Sequence, residues 1–188
     1  MTVDESLELL GLPDTTTRQW LEQLGEPHRH YHNLQHIEAM LGRYEGANAG
    51  VVAAIWLHDI VYDPKASDNE ERSAEQARAD LPAGPATDLA VRLILDTKHH
   101  AGGDPWTDAF NDLDLAILGS RAATYDRYAE EIRREYAFVP DLPYRTGRAQ
   151  VLRAFDRRTI FKTPAFQARE RQAHDNLRHE IARLDAGD

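Results

Sequence analysis

The chain has 188 residues, enough for one globular domain that buries a sizeable core. Its 22 Lys and Arg residues are outnumbered by 32 Asp and Glu residues, and the net charge of −10 argues against a nucleic-acid polymer as partner and for a small substrate. The lack of cysteine excludes disulfide bonds, thiolate metal ligands and a cysteine nucleophile.

Two features bear on the cellular location. No apolar run reaches the ~18 residues that a membrane span requires. The segment from Met1 to Leu12 is acidic and lacks the basic and apolar regions of a secretion signal. We therefore expect a cytoplasmic protein with no membrane partner.

Apolar residues repeat at helical spacing along almost the whole chain, and capping or helix-breaking residues separate the repeats. This pattern predicts an all-α fold, a single domain over 1–188 with roughly eight to nine helices. We expect an N-terminal helix at about 14–24 with Asp14 as its N-cap, a core over 29–136, and C-terminal helices at about 144–158 and 164–184.

Within the core, we expect helices at about 34–44, 48–62, 86–100, 106–118 and 124–136, the last of them capped by Ser120. We expect a further helix to begin after 48–62, with Ser67 or Asp68 as its cap. The segment at 48–62, NAGVVAAIWLHDIVY, is rich in Ala and Val, which suggests burial on most sides. It is the predicted central helix.

The nine histidines are unevenly placed: four lie between His28 and His36, one is His58, and two are His99 and His100. His36 has apolar neighbours at spacings of three and four, so its ring borders the inward face of its predicted helix. His58 and Asp59 arrive together at the end of the apolar run of the central helix. Because burying an ionised carboxylate is costly unless it is paired or binds a metal, this pair suggests a metal site.

Asp114 is the fourth candidate ligand. It lies in NDLDLAILG, where its apolar neighbours indicate a buried segment, whereas Asp112 is closer to the polar edge. A lone core histidine or a chance HD pair would explain any one of these residues, but the order H, HD, D favours a metal site formed by His36, His58, Asp59 and Asp114. Nitrogen and oxygen ligands without sulfur suit Zn, Fe, Mn, Ni or Co, while Mg would favour a mostly oxygen shell.

Six sequence blocks resemble one known family. RHYHNLQHI, WLHDIVYDP, DNEERSA, TKHH, DLDLAILG and IRREY follow one another between about Arg29 and Phe166 and resemble the HD superfamily of metal-dependent phosphohydrolases, named for the pair found here as His58 and Asp59. More narrowly, they resemble a bacterial family of predicted HD phosphohydrolases. The resemblance implies an HD-type helical bundle, one or two divalent ions, and hydrolysis of a small phosphate ester such as a nucleotide or related metabolite.

A second resemblance suggests separate roles for two histidines. YHNLQHIEAM is similar to the YHNxxHAxxV signature of class I cyclic nucleotide phosphodiesterases, which implies that His36 binds metal and His32 protonates the leaving oxygen. Independently, residues four apart at a helix start project the same way, although His32 could instead serve as a cap or packing residue. Ile37 and Tyr62 depart from the phosphodiesterase signatures, so specificity for cyclic nucleotides does not carry over.

Further candidates come from the remaining blocks. Asn69 and Glu70 occupy the place where many HD proteins have His-Glu, so Glu70 could orient a metal-bound water. Alternatively, Glu70 only interacts favourably with the positive end of the helix dipole, as acidic residues in a first turn do. His100 shares a helical stripe with apolar residues and is a better site candidate than His99. Arg29, Lys98 and Arg133 are candidate phosphate contacts, with surface ion pairs as the alternative, and Tyr62 is a candidate substrate contact or core residue.

Two rival functions remain open at this point. HD-type di-iron oxygenases resemble phosphohydrolases in fold but supply extra histidines to a second iron, and this chain has none between Asp59 and His99. A non-catalytic nucleotide-sensing module would keep the metal centre without turnover. The sequence is compatible with a homo-oligomer.

Overall fold

The computed structural model describes residues 1–187. Over these residues the prediction of an all-α fold is confirmed, since every regular element is a helix and none is a strand. The helices are α1 (Val3–Leu10), α2 (Asp14–Leu24), α3 (Leu34–Leu41), α4 (Ala49–Leu57), α5 (Asn69–Asp80), α6 (Pro85–Thr97), α7 (Pro105–Asp114), a 3₁₀ helix (Leu115–Ile117), α8 (Ala122–Glu135), α9 (Asp141–Asp156), α10 (Pro164–Gln167) and α11 (Glu170–Ala186). No described helix has the length and apolar character needed to cross a bilayer.

The chain divides after Leu113 into two compact units. The first contains α1 to α6 and all of α7 except its last residue, and the second runs from Asp114 onward. The expectation of a single domain stays a prediction.

The helices outnumber the predicted eight or nine. One addition is α1, whose first turn is closed by reciprocal hydrogen bonds between Thr2 and Glu5 and whose end is marked by Gly11 in the left-handed conformation. Thr and Glu three positions apart are a recognised helix-start signal, so α1 could have been predicted. The other addition arises because the expected last helix is split into α10 and α11.

Helix α4 is the centre of the first unit. Every residue from Gly50 to Leu57 is buried, and α4 packs against α1, α3, α5 and α6. A Cβ atom on Gly50 would lie 2.6 Å from the carbonyl oxygen of Ala86, so this glycine permits the close approach of α6. The expectation of a central helix buried on most sides is therefore confirmed.

Several predicted helices end earlier than expected or begin one residue away from the expected cap. Helix α4 stops at Leu57 rather than at Tyr62, so His58 is its C-cap and Asp59 lies in the following turn, where the amide of Ile60 donates to the carbonyl of Leu57. Helix α3 ends at Leu41 and α6 at Thr97. Pro13 and Arg121 occupy the N-cap positions that were expected for Asp14 and Ser120.

The second unit is organised around the packing of α9 and α8 against α11. Its core includes Tyr125, Leu152, Phe161 and Leu177. The segment after the 3₁₀ helix is fixed by Asn176, whose side-chain amide donates to the carbonyls of Leu118 and Ser120 at 2.8 Å each.

Candidate metal centre

Two imidazole rings face each other in the interior of the first unit. His36 lies on α3 and His58 caps α4, and their Nε2 atoms are 3.1 Å apart. Both residues are buried, with exposed fractions of 5% and 1%. The packing of α3 on α4 brings together two histidines that are 22 positions apart in the chain.

The backbone orients the His58 ring. Its Nδ1 lies 3.0 Å from the carbonyl oxygen of Ile55, one turn earlier in α4. A carbonyl oxygen can only accept, so Nδ1 carries the hydrogen, and in the neutral ring Nε2 presents its lone pair toward His36. Metal-binding histidines are oriented by this kind of hydrogen bond from the non-ligating nitrogen.

Asp114 completes a group of three. His36, His58 and Asp114 each offer a ligand atom, and these atoms all lie within 4.8 Å of one another. Asp114 is the last residue of α7 and is followed directly by the 3₁₀ helix. Two imidazole nitrogens and a carboxylate oxygen form a donor set suited to a divalent transition metal.

The fourth expected ligand, Asp59, is not part of that group, but its Oδ2 lies 3.0 Å from His58 Nε2. In the neutral tautomer defined by Ile55, both atoms are acceptors with lone pairs. Acceptors approach this closely when a cation or a shared proton lies between them. The arrangement therefore fits a cation, and His36, His58 and Asp114 are the residues that could hold it.

The choice of Asp114 over Asp112 rested on a wrong reason. Asp112 is the more deeply buried of the two, with an exposed fraction of 0%, while Asp114 is only partly buried. The helix gives way to a 3₁₀ helix after Asp114, so the helical stripes assumed from the sequence do not continue past this point.

His32 lies beside the centre but not on a helix. Asn33 is the N-cap of α3, so His32 precedes the helix, and the expected one-turn relation to His36 is not helical. The two rings are nevertheless 6.3 Å apart between centroids. The His32 ring stacks on Tyr62 at 4.4 Å, and Tyr31 lies 4.9 Å from His36.

Three of the four expected substrate contacts, Arg29, Lys98 and Arg133, are hydrogen-bonded within the protein. The guanidinium of Arg29 is buried and hydrogen-bonded to backbone carbonyls. Lys98 bonds to Glu71 at 2.5 Å and to the carbonyl of Ser67 at 2.7 Å. The bond to Glu71 raises the pKa of the Lys98 ammonium and lowers the pKa of the Glu71 carboxyl, as a surface ion pair does. Tyr62 forms the stack with His32.

Glu70, His100 and Arg133 are placed as follows. Glu70 is in the first turn of α5, with Oε2 3.8 Å from Lys98 Nζ. His100 lies beyond the end of α6 with a φ of 47°, so the expectation that it shares a helical stripe is wrong. Arg133 belongs to the second unit, where it donates to the carbonyls of Tyr136 and Val139 and lies over the Tyr144 ring.

Asn69, at the position where many HD proteins have histidine, also has a structural role. Its side chain bonds to the backbone N–H and carbonyl of Asp63, at 3.1 and 2.9 Å, and so closes the loop between α4 and α5.

Sequence reasoning missed the Ile55 carbonyl as an orienting group. The sequence did carry a signal for this contact, because a polar side chain at the end of a helix lies near the unpaired carbonyls of the last turn. Comparison with protein-family models, with curated proteins and with solved structures finds no match to this chain.

Proposed function

We propose that the protein is a metal-dependent phosphohydrolase of the HD type that acts on a small phosphate ester, such as a nucleotide or related metabolite. The observation that carries the proposal is the buried group of His36, His58 and Asp114, in the order that the HD resemblance implies. Asp59, next to His58 in the chain and in space, is the fourth ligand of the proposal.

A divalent ion held by these residues would supply a Lewis acid that acidifies a water molecule and withdraws charge from a phosphoryl oxygen. The residues around the centre fix the positions and orientations of the proposed metal ligands. The Ile55 carbonyl keeps His58 Nε2 available, and the packing of α3 on α4 keeps His36 opposite it.

His32 is the proposed general acid. It is partly buried, lies beside the ligand His36, and is held by the Tyr62 stack and by the bond from Arg29 to its carbonyl. A protonated imidazole can donate the proton that a leaving alkoxide takes up. This role requires the imidazolium form before bond cleavage.

The test is metal analysis followed by a substrate screen. Protein loaded separately with Mn²⁺, Co²⁺, Ni²⁺, Zn²⁺ or Mg²⁺ is assayed against phosphate monoesters and diesters, and we expect turnover that is lost in His58→Ala. His179→Ala, which removes an exposed histidine of the second unit, is the matched control and should retain activity. Bound metal without turnover of any ester would favour a sensing module, and two irons per chain with oxygen consumption would favour an oxygenase.

A further inference from the structure

Arg29 joins the two segments that lie around the candidate metal centre. We propose that Arg29 is a positioning residue of this centre, which holds the turn carrying His58 and Asp59 against the segment carrying His32. The inference rests on the proposed function for the importance of these residues, and it replaces the expectation that Arg29 contacts phosphate.

The hydrogen bonds of the guanidinium account for four of its five N–H groups. Nε donates to Glu26 Oε2 at 2.9 Å, and NH1 donates to the carbonyls of His32 at 3.0 Å and Asp59 at 2.6 Å. NH2 donates to the carbonyl of Ile60 at 2.8 Å. One planar group thus ties the backbone at position 32 to the backbone at positions 59 and 60.

The C-terminal end of α4 favours a cation near this position, because a helix carries partial negative charge at that end. The carbonyls that Arg29 binds there, of Asp59 and Ile60, directly follow the C-cap residue His58. The Tyr62 ring lies 5.4 Å from the guanidinium carbon and extends the contact to the residue that stacks on His32. Glu26 adds the balancing charge at the edge of the cluster.

Burial separates this role from phosphate binding. The Arg29 side chain is 1% exposed, so a substrate phosphate could reach it only after the segment had opened. A Lys at this position would keep the charge but could not hold three carbonyls in one plane, because an ammonium lacks the rigid fork of a guanidinium. Arg29→Lys therefore isolates the positioning role.

The experiment compares the affinity for Mn²⁺, by isothermal titration calorimetry on the full chain, with the kinetic constants of the best ester found. We expect Arg29→Lys to bind Mn²⁺ about 10 to 100 times more weakly, the usual effect of losing an outer support of a metal site, with kcat lowered more than KM is raised. The matched control is Arg148→Lys, since Arg148 is a largely buried arginine of the second unit, bonded to Glu180. It should lower thermal stability and leave Mn²⁺ affinity unchanged.

The inference would be overturned if folded Arg29→Lys bound Mn²⁺ with the affinity of the wild type. A raised KM with unchanged kcat and Mn²⁺ affinity would also overturn it and would indicate that Arg29 contacts the phosphate. If that variant does not fold, Glu26→Ala is the deciding variant, because it removes the acceptor of the Arg29 Nε–H at a partly exposed side chain. It should weaken Mn²⁺ binding about threefold, as expected for the loss of a partly exposed ion pair. Unchanged Mn²⁺ affinity would overturn the inference. A wild-type protein that binds Mn²⁺ but cleaves no ester would overturn the proposed function alone.

Discussion

His58 Nδ1 donates to the backbone carbonyl of Ile55, and this bond decides which nitrogen of the His58 ring faces His36. The nitrogen that His58 could offer to a metal is therefore selected within α4 itself. Asp114 then supplies the carboxylate oxygen of the group.

Neutralising the three nearby carboxylates one at a time should have different effects. Asp114→Asn should lower Mn²⁺ affinity most, because Asp114 shares the ligand group with both histidines. Asp59→Asn should lower Mn²⁺ affinity less, because Asp59 lies near His58 but outside the group whose ligand atoms are all within 4.8 Å of one another. Asp112→Asn should change stability and not affinity. Calorimetric titration of the three variants checks the order, and an Asp112 effect larger than that of Asp114 would contradict the assignment.

Replacing His32 should separate chemistry from metal binding. We expect His32→Ala to retain metal, since His32 is outside the ligand group, and to lose about 100-fold or more in kcat, the usual contribution of a general acid. His36→Ala is the comparison and should lose both metal and activity. Metal content by mass spectrometry and steady-state rates measure the two effects. A His32→Ala enzyme as fast as wild type would remove the proposed acid.

The packing of α4 against α6 should be sensitive to a single methyl group. Gly50→Ala places a Cβ 2.6 Å from the carbonyl oxygen of Ala86, and we expect a loss of about 1 to 3 kcal/mol in the free energy of unfolding. Gly147→Ala is the matched control, because a Cβ on Gly147 meets nothing within 4 Å inside α9. That change should stabilise by about 0.5 to 1 kcal/mol, because alanine is the better helix former. Denaturant unfolding of both variants measures the contrast.

Alkaline destabilisation should depend in part on Tyr144. Burial raises the pKa of Tyr144 to about 12. In the unfolded chain a tyrosine ionises near pH 10, as for the free side chain, so the stabilisation is complete below pH ~10 and is lost as the pH rises to ~12. We expect the wild type to lose more unfolding free energy between pH 9 and 11.5 than Tyr144→Phe does. Equal losses in urea titrations at the two pH values would contradict this.

The sequence predicted some features well and others poorly, for physical reasons that differ. The buried helix α4 was predicted because a helix that is buried on all sides has a continuous run of apolar residues in its sequence. The ends of α4 and α6 were missed because their C-cap residues, His58 and Lys98, are not helix breakers. The end of α3 did have a signal in the sequence, since its C-cap is Gly42. His36 and His58 were found because each follows or faces apolar residues. The burial of Asp112 was missed because the buried residues of α7 include the polar Thr107 and Asn111, so apolar residues alone do not mark the buried face of this helix.

Arg29 is a second residue whose structural role could not be predicted from the sequence. Its residue type predicted a phosphate contact, but the four hydrogen bonds that occupy it run to backbone carbonyls and to Glu26, and backbone acceptors carry no residue-specific signal.

The bond from His58 to Ile55 also has a consequence for sequence drift. Its acceptor is a main-chain oxygen, which every amino acid supplies, so position 55 can accept any apolar side chain that fits the core without changing the tautomer of His58. In many metal sites this function belongs to a second carboxylate or amide side chain, and one substitution there removes it. Here the orientation of the His58 ring depends on the backbone of α4, so substitutions around the centre would leave it unchanged as long as α4 ends at the same place.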